Sequence, residues 1–417
     1  MRVLIVNTSE KTGGAAVAAN RLMEALKNNG VKAKMLVRDK ETDQLTVCSL
    51  PPSWRQKWHF LWERLVIWVH LWLKRKHLFD VDIANSGTDI TSLPEFKEAD
   101  VIHLHWINQG MLSLKDIRKI LDTGKPVVWT MHDIWPATAI CHLSLECRRF
   151  ETGCCHCRLL PGGGSDDDFA ARVWQRKQRM LAGRPITFVA CSQWLGSEAV
   201  KSALLQGQRV EVVPNPIDIR IYRPGDKRSA RQQLGLPETG RMILFVSQRV
   251  TNPNKGMQYL IEACRMLAGD YPERHVDTFV AILGGHAEEI ASELAFPTYS
   301  LGYVNDEQRI VCTYQAADVF VLPSLSENLP NTIMEAMACG LPSVGFKVGG
   351  IPEEIDHQVN GYVAAYRDAA DLAKGMHYVL DEADYEQLKR ECLHKVACCY
   401  SQQRVANRYI DIYKKVL

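Results

Sequence analysis

Short β-branched and apolar runs recur along this chain at 2–7, 33–38, 100–104, 126–131, 187–191 and 210–213. They start again at 241–247, 278–283, 298–301, 318–322, 342–346 and 361–364. Helix-length amphipathic stretches separate them. A strand followed by a helix of crossover length is returned parallel to its predecessor, so this alternation builds a parallel sheet covered by helices. The series runs twice, which predicts an α/β chain of two Rossmann-like parallel-sheet domains facing a central cleft, at 1–213 and 214–400. With 417 residues, each domain can hold a full core. The turn-rich Pro214-Asn215-Pro216-Ile217-Asp218 is the natural hinge.

Composition narrows the class. With 46% apolar and 24% charged residues this is a soluble globular chain. A formal charge of +2 argues against a nucleic-acid binder. No apolar run approaches the ~20 residues that span a bilayer. The first strand begins at Arg2, which leaves no room for a signal peptide. The 13 scattered cysteines read as thiols of a reduced, cytoplasmic protein.

Two glutamates, Glu327 and Glu335, stand eight positions apart across a loop-to-helix junction that Pro330 opens and Gly340 closes. Between them the backbone N–H groups of Leu329, Asn331 and Thr332, with the positive end of the helix dipole, suit an anion. Arg249, after the strand at 241–247, and Lys255, before the next helix, offer two cations to a diphosphate. In the first half, Gly13-Gly14 between strand and helix allows close backbone approach to a ligand. His132 falls just beyond the strand at 126–131, where open α/β sheets meet their ligands.

The glutamate pair resembles the E-x7-E motif of the family 4 retaining glycosyltransferases, enzymes of the GT-B fold. The resemblance continues in AMACGLP at 336–342, GGIPE at 349–353, NGY at 360–362, YQAADVFVLP at 314–323 and LGYV at 301–304. It also covers the hinge, where Pro216 stands in place of the usual glycine and stiffens the turn. It implies a donor site in the second domain, in which Arg249 and Lys255 hold the diphosphate of a nucleotide-diphosphate sugar. Glu335 would take the ribose hydroxyls and Glu327 those of the transferred sugar. Asn328, Leu329, Asn331 and Thr332 would line the same site, with Tyr303 and Val304 beside the base and Gly13 and Gly14 on the facing side. His132 would hydrogen-bond the sugar. The last helix, 401–417, would pack back on the first, acceptor-side domain.

No third carboxylate in the matched motifs has a claim to be a nucleophile. The resemblance therefore implies attack from the leaving-group face, with a donor phosphate oxygen taking the acceptor proton, and no metal or cofactor in catalysis. The acceptor would be a saccharide or polyprenyl-linked sugar of bacterial surface polysaccharide assembly, at the inner face of the plasma membrane. Competing readings are a nucleotide-sugar epimerase or hydrolase on the same scaffold, which would need an extra acid/base pair, and a non-catalytic sugar-binding protein.

Other features stay open. Cys141, Cys147, Cys154 and Cys157 form C-x5-C-x6-C-x2-C, whose closing half is a zinc half-site; a structural zinc and plain thiols both fit. Half of the ten tryptophans, Trp54, Trp58, Trp62, Trp68 and Trp72, lie in 54–76 beside Arg55, Lys57 and Lys74-Arg75-Lys76. That mixture suits peripheral membrane association and equally a core helix. Asp80-Val81-Asp82 invites comparison with the D-x-D metal clamp of the other main glycosyltransferase fold, which the remaining motifs oppose. His103 and His105 alternate on one strand and are expected on opposite faces.

Overall fold

The computed structural model describes residues 1–51, 53–273 and 276–417. The chain divides into two units, Met1–Asn215 with Val405–Leu417, and Pro216–Arg404. All twelve expected strands form, each within about two residues of its expected bounds, and a short thirteenth appears at Val47–Ser49.

In the first unit the strands are β1 (Arg2–Ser9), β2 (Lys32–Asp39), β3 (Val47–Ser49), β4 (Val101–Leu104), β5 (Val127–Met131), β6 (Thr187–Ala190) and β7 (Arg209–Val212). They pair in parallel in the order β3-β2-β1-β4-β5-β6-β7. Both faces are covered, so β1 is apolar at successive positions. Val3 and Ile5 enter one core with Leu22, Met23 and the C-terminal Tyr409 and Tyr413. Leu4 and Val6 enter the other with Trp129 and Trp135. The helix Gln402–Val416 thus closes one face of the first sheet, and Tyr409 hydrogen-bonds Thr130 of β5 at 2.9 Å.

In the second unit the strands are β8 (Arg241–Arg249), β9 (Thr278–Gly285), β10 (Thr298–Gly302), β11 (Val319–Leu322), β12 (Ser343–Phe346) and β13 (Gly361–Ala364). The order is β10-β9-β8-β11-β12-β13. Chain direction across the sheet reverses between β8 and β11, so the carboxyl ends of those neighbours form the crevice where doubly wound sheets bind ligands. The corresponding reversal in the first sheet lies between β1 and β4.

Two local expectations are corrected. Arg249 does not follow its strand; β8 runs through it, and Arg249 pairs with Gly285 after an irregularity in the register. His103 and His105 do not point apart. Residues two apart on a strand share a face, so the period of β4 carries both side chains to the same side, and the two rings lie 4.3 Å apart.

Candidate active site

At the β8–β11 crevice the chain stitches two loops together. After β8, Asn254 accepts the backbone N–H of Leu325 at 2.8 Å, and its side-chain amide donates to the Ser326 carbonyl at 2.9 Å. The Tyr366 hydroxyl donates to the Leu325 carbonyl at 3.0 Å. These bonds bring Lys255 against Glu327, and the two side chains form an ion pair. Glycine is required on both sides. A Cβ on Gly256 (φ 69°) would collide with the Pro323 carbonyl, and one on Gly349 (φ 55°) with the Glu327 carbonyl. The two motifs therefore act as braces for the loop that carries Glu327. Arg249 is exposed and its Nε donates to Thr251 at 3.1 Å.

Beyond Glu327 the helix Asn331–Ala338 begins, with Pro330 as the preceding cap residue and no capping side chain among the described residues. Asn328, Asn331 and Thr332 stay partly exposed at its mouth, while Leu329 is buried. Glu335 is buried one turn in, and its Oε2 accepts the Tyr314 hydroxyl at 2.8 Å. Burial, then the Glu335 charge, hold the Tyr314 phenol well above its ordinary range, so it remains a donor. Tyr303 and Val304 follow β10, two strands away from β8; Tyr303 is exposed.

Two side chains here escaped the sequence reading. Tyr314 lay inside a recognised motif without a role. Glu354 is fully buried, and neither of its oxygens has a hydrogen-bond partner. Burial, then Glu327 and Glu353, push its carboxyl well above the usual range, which favours the neutral acid. A single acid has no spacing to give it away.

In the first unit Gly13 (φ 92°) precedes the helix Gly14–Asn28, at the carboxyl end of β1. His132 follows β5 and keeps partial exposure. Its Nε2 meets His105 Nδ1 at 2.9 Å, and its Nδ1 lies 3.8 Å from the Cys191 sulfur. Burial lowers its pKa to about 4, so the ring is neutral at pH 7. A hydrogen bond from His132 to a sugar would compete with these contacts. His103 is wholly internal, bonded to Thr130 and Tyr413 at 2.7 Å each.

Asp80 and Asp82 do not form a clamp. Asp82 is buried against Arg64 and His142, whereas Asp80 is largely exposed and pairs with His77. His142 also reaches Asp133 at 2.8 Å, which accepts the Trp106 indole N–H at 3.0 Å. Cys141, Cys147, Cys154 and Cys157 lie within electrostatic reach of one another. Among the described residues, however, the one group close enough to share an ion is Cys155, His156 and Asp166, with His156 bonded to Asp166 at 2.8 Å.

A two-sheet α/β chain with this crevice is a GT-B protein, and comparison with known proteins agrees. Residues 12–220 match the model of Glycosyltransferase Family 4, and residues 240–382 that of Glycosyl transferases group 1. The chain belongs to glycosyltransferase family 4. It is 32% identical over 232 residues to D-inositol 3-phosphate glycosyltransferase 2 of Catenulispora acidiphila, which covers 52% of this chain and 53% of that protein. The chain thus spans about half the length of this relative. A glycosyltransferase from Rickettsia africae superposes with a TM-score of 0.67 at 15% identity, covering 100% of this chain and 98% of that one. HepE of Anabaena, solved in complex with UDP and glucose, superposes with a TM-score of 0.64 at 17% identity over 100% of both chains.

Proposed function

We propose that this protein moves a sugar from a nucleotide-diphosphate sugar to a saccharide or lipid-linked acceptor, with retention of configuration and without a metal. The observation that carries this reading is the Lys255–Glu327 ion pair at the carboxyl ends of β8 and β11, beside a helix start with no capping side chain among the described residues; Arg249 ends β8, and Glu335 lies one turn into that helix. Two cations offset the charge that grows on a departing diphosphate, and a helix start adds a fixed dipole. Glu335, oriented by Tyr314, takes the ribose. Glu327 takes the sugar hydroxyls. Tyr303 and Val304 border the base. The UDP and glucose held by HepE, a fold relative, are compatible with this donor class.

With no further carboxylate assigned as nucleophile, the acceptor oxygen attacks from the leaving-group face. The carbon–oxygen bond to the diphosphate breaks as the new glycosidic bond forms, and a donor phosphate oxygen receives the acceptor proton. We place the reaction in surface polysaccharide or lipid-linked oligosaccharide assembly on the cytoplasmic side.

Incubation with a panel of nucleotide sugars, with and without acceptors, tests the reading. Release of nucleoside diphosphate that depends on acceptor, with the donor's anomeric configuration kept in the product by NMR, is expected. Acceptor-free turnover would favour the epimerase or hydrolase. Binding without turnover would favour a sugar-binding protein, and an inverted product would refute same-face attack.

A further inference from the structure

The helix Trp54–His70 is mounted with Glu63 and Arg64 inward and Trp54, Trp58 and Trp62 outward. Its buried residues are Glu63, Arg64 and Ile67. Glu63 accepts the backbone N–H groups of Ile83 and Ala84 at 2.9 and 2.6 Å. Arg64 donates to the Leu78 carbonyl at 2.7 Å and pairs with Asp82. Ile67 and Leu71 enter the core of the first unit. The docked face is therefore fixed by internal partners.

Large apolar side chains lie outside, with Arg55 and Lys57 among them. Trp54, Trp58, Trp62, Leu65, Val69 and Trp72 are all exposed, Trp54 at 74% and Trp72 at 66%. The Trp58 and Trp62 rings stack at 6.3 Å. Trp54, Trp58, Trp62, Leu65 and Val69 follow one another three or four residues apart and form one stripe along the helix, with Trp72 in the turn just past its end. A soluble surface rarely leaves such a stripe uncovered without a partner.

We propose that this face docks on an anionic lipid bilayer, its tryptophans at the headgroup level. Charge selects this occupant. Between Trp54 and Lys76 the exposed charges are Arg55, Lys57, Lys74, Arg75 and Lys76, and the only acid, Glu63, is buried. A second copy of this chain would bring five cations against five. An anionic lipid surface meets them with opposite charge, while its interface accepts indole rings. The helix lies on the surface rather than crossing it, since no helix among the described residues is long and apolar enough to span a membrane. The inference deepens the lipid-linked acceptor reading but stands on this face alone, and its test needs no turnover.

The test is co-sedimentation of the full chain with phosphatidylglycerol–phosphatidylcholine vesicles and with pure phosphatidylcholine vesicles, at low and high salt. Binding to the anionic vesicles, weakened by salt, is expected. Lys74→Gln/Arg75→Gln/Lys76→Gln removes three cations worth ~1 kcal/mol each near such a surface, so partitioning should fall on the order of a hundredfold. Trp58→Ser/Trp62→Ser, at exposed positions, should lose binding with Tm unchanged. Equal binding to both vesicle types, or wild-type binding by either variant, overturns the proposal. So does a concentration-dependent dimer that Trp58→Ser/Trp62→Ser abolishes while vesicles bind nothing.

Discussion

Glu327→Gln should tighten the binding of free nucleoside diphosphate while it slows turnover. Without ligand, Lys255 is tied to the Glu327 carboxylate, with the two side chains 27% and 14% exposed. A diphosphate must take that lysine from its carboxylate, and must also approach the negative charge. Two opposite charges ~4 Å apart attract by about 4 kcal/mol at the effective dielectric of a protein surface, whereas exposed pairs net about 0.2–1 kcal/mol. This half-buried pair lies between, at about 1–2 kcal/mol, which is about 5- to 30-fold in affinity. Glutamine keeps the shape and removes the competitor, so calorimetry should give a dissociation constant lower by about tenfold. Turnover should drop on the order of a hundredfold, because contacts to the reacting sugar strengthen in the transition state. Lys255→Ala should weaken nucleotide binding, and in the Lys255→Ala background Glu327→Gln should lose most of its benefit. Weaker nucleotide binding in Glu327→Gln alone would refute the assignment of Lys255 to the diphosphate.

Glu354 offers a pH signature. Its folded pKa lies well above the ordinary 4.5, so the folded state holds the extra proton; stability is greatest below that value and falls as pH rises toward the folded pKa, by up to about 1.4 kcal/mol per pH unit. Glu354→Gln removes this titration, so the melting temperature of the variant should exceed wild type by a margin that widens as pH rises above the ordinary carboxylate range; parallel curves would show that Glu354 is ionised in the fold. For metal, chelation is expected to leave acceptor-dependent turnover unchanged and elemental analysis to find well under one zinc per chain. About one zinc, lost together with thermal stability in Cys154→Ala, would show instead that Cys141, Cys147, Cys154 and Cys157 close around an ion.

The strands were legible because a buried parallel strand must be apolar and β-branched over four or more residues, and twelve segments met that condition. Val47–Ser49 did not, since three residues carry no period. The two glutamates were legible through a motif, but the Lys255–Glu327 pair was not, because it joins side chains 72 positions apart. The shared side of His103 and His105 was legible in principle, since residues two apart on a strand line one face; the opposite-face expectation misapplied that period.

The tryptophan helix shows where a local pattern stops deciding. Two of its faces are apolar, Trp54-Trp58-Trp62 and Leu61-Leu65-Trp68-Trp72, yet both stay largely outside, and the face that docks carries Glu63, Arg64 and Ile67. The choice is made by Glu63 and Arg64, which find backbone N–H groups and a carboxylate at Asp82–Ala84, some twenty residues on. Burying a charged pair is costly unless every partner is in place, and here those partners turn the helix over. If they set the orientation, Glu63→Leu with Arg64→Leu should release it and let Trp58 and Trp62 turn inward, with a fall in their exposure to a fluorescence quencher. Unchanged quenching in a folded variant would mean that Ile67 and Leu71 alone hold the face outward.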